Sequence, residues 1–324
     1  MKRILAITLC FIFIGIGSAF AQMENIKGVQ FKDGRIIYGR VIQMNVNDIQ
    51  IETKDGKIIS GKFDDVASFI KEGEEEPLKI LSNARHTWKI GPDISYIQYE
   101  EPGVMKETGV MVGIVGSYAY HNHIMLKVEG KLAAGLLNYD GALSDGTPIK
   151  INDIPNYMLE GIGLLGYDFT AKAVTITPYL VIGYRWLQDN SQEQSVYGYK
   201  RESNRLYLPV GLEFVANLGN GWSLGAVGEY DFFLWGKQKS YFSDIDPGYN
   251  DFENKQTTGY GVRGSISIAK KGERVGFIIE PYVKYWNMDD SDLALRTYYG
   301  TPDAWMVEPK NNSTEIGCKL AVTF

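Results

Sequence analysis

The residues of this sequence that could do chemistry are few and widely spaced. There are three histidines, His86, His121 and His123, and two cysteines, Cys10 and Cys318. A histidine can serve as general base or metal ligand near neutral pH, and a cysteine acts as nucleophile or ligand through its thiolate. Neither has the company such a role needs. Cys10 lies inside an apolar run at the start, so a chain that loses this run keeps a single cysteine and can form neither an intramolecular disulfide nor a cysteine-based metal cluster. No G-x-S-x-G, Walker or H-E-x-x-H pattern occurs. A Ser–His pair on one strand face cannot be constructed. No catalytic, cofactor-binding or metal-binding residue is expected, and no cofactor. The chain is acidic, with a formal net charge of -6, so it lacks the basic footprint of a nucleic-acid binder.

What remains is charge held at a spacing of two. In the last segment Thr314, Ile316, Cys318, Leu320, Val322 and Phe324 share one face, opposite Glu315, Gly317, Lys319, Ala321 and Thr323. Phe277, Ile279, Pro281, Val283 and Tyr285 likewise oppose Ile278, Glu280, Tyr282, Lys284 and Trp286. Period two is the signature of a strand with unlike faces. From Trp88 onward it predicts ten strands, near 88–99, 108–120, 124–136, 157–169, 174–186, 205–218, 222–237, 260–269, 277–286 and 314–324. The polar face is expected to carry Lys89, Lys127, Lys131, Arg185, Arg205, Lys237, Arg263, Lys284 and Lys319. Against them stand Asp93, Glu129, Glu160, Asp168, Glu213, Glu229, Asp231, Glu280 and Glu315. The signs balance. Two readings follow: a salt-bridged plug that fills a narrow interior, or a charged site for a small ligand.

A soluble sandwich alternates too, but two features favour a membrane. Aromatics close the apolar faces, among them Trp88, Tyr96, Tyr118, Tyr157, Tyr184, Trp222, Tyr260, Tyr285 and Phe324. Short connections near 121–123, 171–173, 219–221 and 271–273 alternate with long ones near 100–107, 138–156, 188–203, 239–256 and 289–312. Aromatic girdles, with short periplasmic turns alternating with long external loops, are the pattern of outer-membrane barrels. Residues 86–324 resemble the bacterial outer-membrane β-barrel class, in its small porin-like or OmpA-like form. The ending Leu320-x-Val322-x-Phe324 resembles the signal by which that class engages its assembly machinery. The resemblance implies a Gram-negative source, outer-membrane lipids as partners, and both barrel ends in the periplasm. It also brings the ten-stranded omptin proteases into view, which combine acidic residues with a histidine near the external rim. Here His86 precedes the first strand, and His121 and His123 sit in a predicted periplasmic turn.

The start of the chain has its own organisation. Lys2 and Arg3, the apolar run Ile4 to Ile16 and the small-residue exit Ala19-Phe20-Ala21 predict a signal peptide over 1–21. Residues 22–72 read as a small periplasmic β-domain with two similar halves. Phe31-Lys32-Asp33-Gly34-Arg35-Ile36-Ile37 echoes Thr53-Lys54-Asp55-Gly56-Lys57-Ile58-Ile59, and Asp-Gly between β-forming runs is a hairpin signal. Strands are expected near 26–31, 35–44, 48–54, 57–62 and 66–70, a rhythm that resembles a small SH3-like or Sm-like barrel. The acidic stretch Glu72 to Pro77 opens a linker over 73–85. The fold class expected is therefore all-β: a ten-stranded antiparallel transmembrane barrel preceded by a small SH3-like domain. The function expected is non-enzymatic, structural or surface-interacting. An adhesin or receptor using loops 241–252 and 289–312, a narrow small-solute channel and an unrecognised membrane enzyme stand as alternatives. The exported chain is predicted to begin at Gln22, and intact-mass measurement of protein from the outer-membrane fraction checks this; retention of Met1 to Ala21 would refute it.

Overall fold

In the computed structural model, residues 26–71, 86–143 and 146–324 are described; the predicted signal peptide and linker lie outside them. The chain divides into two units, one holding residues 26–71 and the other residues 86–324.

The first unit is a five-stranded antiparallel sheet, β1 (Ile26–Phe31), β2 (Ile36–Met44), β3 (Asp48–Thr53), β4 (Ile58–Lys62) and β5 (Val66–Lys71), in the order β4-β3-β2-β1-β5. The strands fall where alternation and turn residues predict them. Gly34 and Gly56 take φ of +88° and +79°, the left-handed conformation that glycine enters without a Cβ penalty. Asp33 accepts from the Arg35 backbone N–H at 3.0 Å and from its Nε at 2.6 Å, which holds the Asp33 carboxyl below the usual range. One face buries Val29, Phe31, Val41, Ile49 and Ile51 as a common core.

The second unit consists of β6 (His86–Glu101), β7 (Met105–Asn122), β8 (Ile124–Ala142), β9 (Pro148–Tyr167), β10 (Phe169–Ala171), β11 (Val174–Asn190), β12 (Lys200–Gly219), β13 (Trp222–Ser240), β14 (Phe252–Gln256), β15 (Gly259–Lys270), β16 (Gly276–Met288), β17 (Ala294–Tyr298), β18 (Thr301–Met306) and β19 (Asn311–Thr323). Ten of these, β6 to β9, β11 to β13, β15, β16 and β19, form a closed antiparallel barrel. Each pairs with its neighbour, and β19 pairs with β6 from Thr323↔Lys89 to Asn312↔Glu100. All ten predicted strands are present. The barrel has a terminal end, where β6 begins and β19 finishes, and a loop end opposite.

The outer wall is an apolar band. Ile94, Val112, Leu132, Leu165, Leu180, Leu212, Ile266, Ile279 and Leu320 are all exposed on it. Trp88, Tyr167, Trp222, Phe277 and Phe324 border it at the terminal end, and Tyr96, Tyr157, Tyr184 and Tyr260 toward the loop end. From Phe277 to Tyr285 the band matches the roughly 9–11 residues that a tilted strand needs to cross hydrocarbon. Strands on one side run well past it: β9 and β12 are each 20 residues long, against 12 for β15. Beyond the band the outward residues turn polar, as at Glu100, Lys106, Asn138, Asp140 and Glu202.

Two expectations need correction. The connection near 100–107 is not long; β6 and β7 are joined by residues 102–104 alone, and much of the other long segments is strand. Polar residues outside the hydrocarbon band erase the alternation of hydropathy while the backbone ladder continues. Lys237 does not point inward. Leu206↔Trp235 is followed by Tyr207↔Phe233, so Leu234 is an extra residue on β13, and such a bulge reverses the parity beyond it. Lys237 faces out and pairs with Glu253 of β14 at 2.7 Å.

The two faces make opposite demands. Leu212→Lys places a charge in the apolar band, which costs roughly 2–4 kcal/mol near the bilayer midplane, whereas Arg263→Lys keeps a charge in the lumen. Heated and unheated samples compared by gel mobility should show Leu212→Lys folding clearly less than Arg263→Lys. Equal folding would refute the face assignment at β12.

Candidate functional site in the barrel lumen

Inward positions carry the charges that alternation placed there, Lys237 excepted, and they are joined across the lumen. Lys131 on β8 lies 2.5 Å from Asp93 on β6 and 2.5 Å from Glu315 on β19. Glu315 also accepts from Arg185 on β11 at 2.9 Å. Arg185 stands 3.8 Å from Glu160 on β9, which accepts from Lys284 on β16 at 2.6 Å. One chain of opposite charges thus links six strands through the middle of the barrel. A second group lies nearer the terminal end. Lys319 donates to Glu129 at 2.9 Å and to Glu280 at 3.2 Å. Arg263 donates to Glu229 at 2.8 Å and stands 3.5 Å from Glu129. The side chains of the first group are almost wholly buried, with Asp93 0% exposed and Arg185 1%, whereas Glu129 and Glu280 of the second are partly buried. Buried charges cost several kcal/mol each in desolvation unless paired and hydrogen-bonded, and the pairing supplies that compensation.

Three tyrosines complete the packing in one repeated way. Tyr207, Tyr179 and Tyr282 lie opposite Gly183, Gly211 and Gly317 on the adjacent strands. A Cβ at those glycines would come within 2.2, 2.5 and 2.6 Å of the facing ring, so the rings occupy space that a side chain would otherwise fill. Each hydroxyl then donates to a carboxylate at 2.8 Å: Tyr207 to Glu160, Tyr179 to Glu229 and Tyr282 to Glu315.

A different cluster sits at the loop end. Arg201 on β12 lies 3.4 Å from Glu101 on β6, 3.6 Å from Glu107 on β7 and 3.4 Å from Asp189 on β11. The Tyr99 hydroxyl contacts Glu101 at 3.0 Å and Glu308 at 2.8 Å. Burial and the facing Glu101 push the Glu308 carboxyl up to about 7. Tyr99, Glu107, Asp189, Arg201, Arg205 and Glu308 line a cavity of about 60 Å³. None of Glu107, Asp189, Arg201 or Glu308 is singled out by the sequence, because each falls in a segment read as a loop. The ladder continues from Arg185 through Leu187 to Asp189, but the hydropathy signal does not, because Leu187 is apolar on the inward face and Gln188 polar on the outward one.

The histidines stand at the other end. His86 opens β6 with Nδ1 2.7 Å from the Tyr118 hydroxyl, and His121 pairs through Nδ1 with Asp168 at 2.8 Å. His123 occupies the turn between β7 and β8 with φ of 61°. Among the described residues, no group of His, Cys, Asp and Glu could hold a metal ion.

No protein-family model matches the sequence, and no curated protein does. Solved structures do match. The outer membrane protease OmpT from Escherichia coli is similar with a TM-score of 0.50 at 9% identity, over 75% of this chain and 97% of that one. The fold is that of an outer-membrane β-barrel. The Pseudomonas putida toluene transporter TodX aligns at a TM-score of 0.32 and 9% identity, over 77% of this chain and 92% of that one. A Pseudomonas aeruginosa FadL homologue aligns at 0.24 and 7% identity, with the same coverage.

Within this outer-membrane barrel fold, Glu315 is the centre of the lumen network, since Lys131, Arg185 and Tyr282 all bond to it. Glu315→Gln leaves two buried cations short of a counter-charge and should destabilise the barrel by about 3–5 kcal/mol. Urea unfolding in lipid vesicles measures this. A loss below about 1 kcal/mol, the ordinary scale of an exposed pair, would mean that the network does not bear on stability.

Proposed function

We propose that this chain is a non-enzymatic outer-membrane barrel with a sealed lumen that acts at the cell surface through its loop end. The ion-pair chain from Asp93 to Lys284 carries this reading. It spans the interior where a channel would need an open path, and large water-filled lumens belong to barrels of about sixteen strands or more. With an even strand count the terminal end faces the periplasm. The 26–71 sheet is then a periplasmic module of SH3-like or Sm-like type. Leu320, Val322 and Phe324, exposed along β19, are the residues offered to the assembly machinery, and outer-membrane lipids cover the apolar band.

The surface role rests on the β17–β18 hairpin. Leu295 pairs with Trp305 across it, and Leu293, Trp305 and Val307 are exposed at 61%, 66% and 43%. Tyr299 at its tip is 76% exposed. Apolar side chains grouped along one exposed hairpin mark a recognition surface more than scattered ones do. That grouping favours an adhesin or receptor over a purely structural barrel.

Two measurements on the purified barrel and on cells test the proposal. Reconstitution in planar bilayers should give no discrete conductance; resolved steps would install the narrow-channel alternative instead. Cells carrying a barrel whose residues 294–306 are replaced by a short Gly-Ser turn should lose surface binding relative to the parent, with unchanged heat-modifiable mobility. Equal binding would leave the structural role alone.

A further inference from the structure

We propose that Glu308 is a proton-dependent latch that ties the β17–β18 hairpin to the barrel rim, closed in acid and released as the pH rises toward neutral. The geometry around Tyr99 is the reason. Its hydroxyl lies 2.8 Å from Oε1 of Glu308 and 3.0 Å from Oε1 of Glu101. A phenol carries one proton and an ionised carboxylate carries none. Tyr99 therefore donates to one of the two oxygens, and the other short contact requires a proton on a carboxyl group. With both carboxylates ionised, one contact would set lone pair against lone pair. The closed arrangement holds an extra proton among Glu101, Tyr99 and Glu308.

The surroundings give that proton a purpose. Glu101, Glu107, Asp189 and Glu308 gather at this end, and Arg201 is the cation that contacts the first three. From β6 the groups facing Glu308 are Tyr99 and Glu101, and from β12 Arg201 and Arg205. Tyr199 faces it from the connection between β11 and β12. Gln238, Gln256, Asn311 and Ser313 contribute no charge to the same cavity. Arg201 is shared among three acids and Arg205 is the other facing cation, so ionising Glu308 sets four carboxylates against two guanidiniums. The elevated value of the Glu308 carboxyl, about 7, agrees with this.

Glu308 is also the one acid of the cluster that lies outside the barrel strands, in the connection from β18 to β19. Its backbone N–H donates to Ser291 Oγ at 2.8 Å and its carbonyl accepts the Ser291 N–H at 3.0 Å. The residue that binds the rim thereby clamps both stems of the hairpin.

The direction follows from linkage. A carboxyl whose value is raised in the closed state favours that state fully below its ordinary value of 4.5. As the pH rises from there through about 7, the closed-to-open ratio falls roughly tenfold per unit, and above that it is flat. Nothing in this depends on what the hairpin recognises.

Spin labels at Val104→Cys, on the β6–β7 turn, and Tyr299→Cys, on the hairpin tip, in a Cys318→Ser background report the distance by pulsed electron resonance. In the refolded chain from Gln22 onward a single short distance is expected near pH 4.5, with a longer population that grows up to about pH 7 and then holds constant to pH 9. Glu308→Gln keeps a donor for the Tyr99 oxygen without titrating, and should hold the short distance throughout. An unchanged distribution in the parent over that range would overturn the latch. So would a Glu308→Gln barrel that shifts as the parent does, or that is open at every pH, with gel mobility showing the barrel folded in each case.

Discussion

The pairing of β6 with β19 is the constraint on which the rest of the barrel depends. A strand in hydrocarbon has no water to satisfy its N–H and C=O groups, so an open edge there costs several kcal/mol per group. The sheet must close, and here the first and last barrel strands close it from Lys89↔Thr323 to Glu100↔Asn312. An even number of strands makes that pairing antiparallel. It also fixes the diameter, because ten strands enclose a space that side chains can fill. Closure thus determines both the apolar wall outside and the crowding inside.

The crowding explains the chemistry of the lumen. Alternating positions cannot all be apolar, or each strand would become a continuous hydrophobic run. Polar inward positions share the lumen with buried apolar ones such as Met111, Met125, Ile162 and Trp286, and once the sheet closes the polar groups are dehydrated together. Charge pairing across the lumen, as in Lys131 between Asp93 and Glu315, is the response. The Tyr–Gly pairs solve the volume problem by letting Tyr207 lie over Gly183 and Tyr179 over Gly211. A Cβ at either glycine would displace a ring and, with it, the hydroxyl that orients Glu160 or Glu229.

How far the sequence could be read depended on whether one period governed a segment. Within the apolar band it did, so the ten strands and the inward charges from Lys89 to Lys319 were legible. The strands of the small unit were legible for a related reason, since Asp33-Gly34 and Asp55-Gly56 mark turns whose backbone only a few residues accept. Parity failed at Lys237 because the extra residue Leu234 leaves no mark in a pattern where Leu234 and Trp235 are both apolar. Beyond the band the outward residues become as polar as the inward ones, and the strand signal vanishes though the ladder persists. That is why Arg201, Glu107 and Asp189 stayed hidden. Their meeting depends on three strands converging and on the Glu308 connection, neither of which is local in sequence.

The same geometry locates where this barrel can respond to its surroundings. In the middle, each charge of the main chain of ion pairs has an opposite partner, as Lys284 has in Glu160, and exchange of any one is opposed by its neighbours. At the loop end the balance is broken: one guanidinium, that of Arg201, is shared among Glu101, Glu107 and Asp189. Strands such as β9 and β12 rise past the apolar band to build this rim, whereas β15 and β16 stop short and leave the β14 strand and the β17–β18 hairpin to finish the wall. A wall completed by inserted segments is held by side chains as well as by a continuous ladder. Asn254 bonds the carbonyls of Asp292 and Met306, and Asn250 bonds Leu295. Side-chain contacts of this kind are individually weaker than a closed sheet. Rigidity is therefore concentrated in the band, and the capacity to change lies in the rim, where solvent, protons and other surfaces arrive.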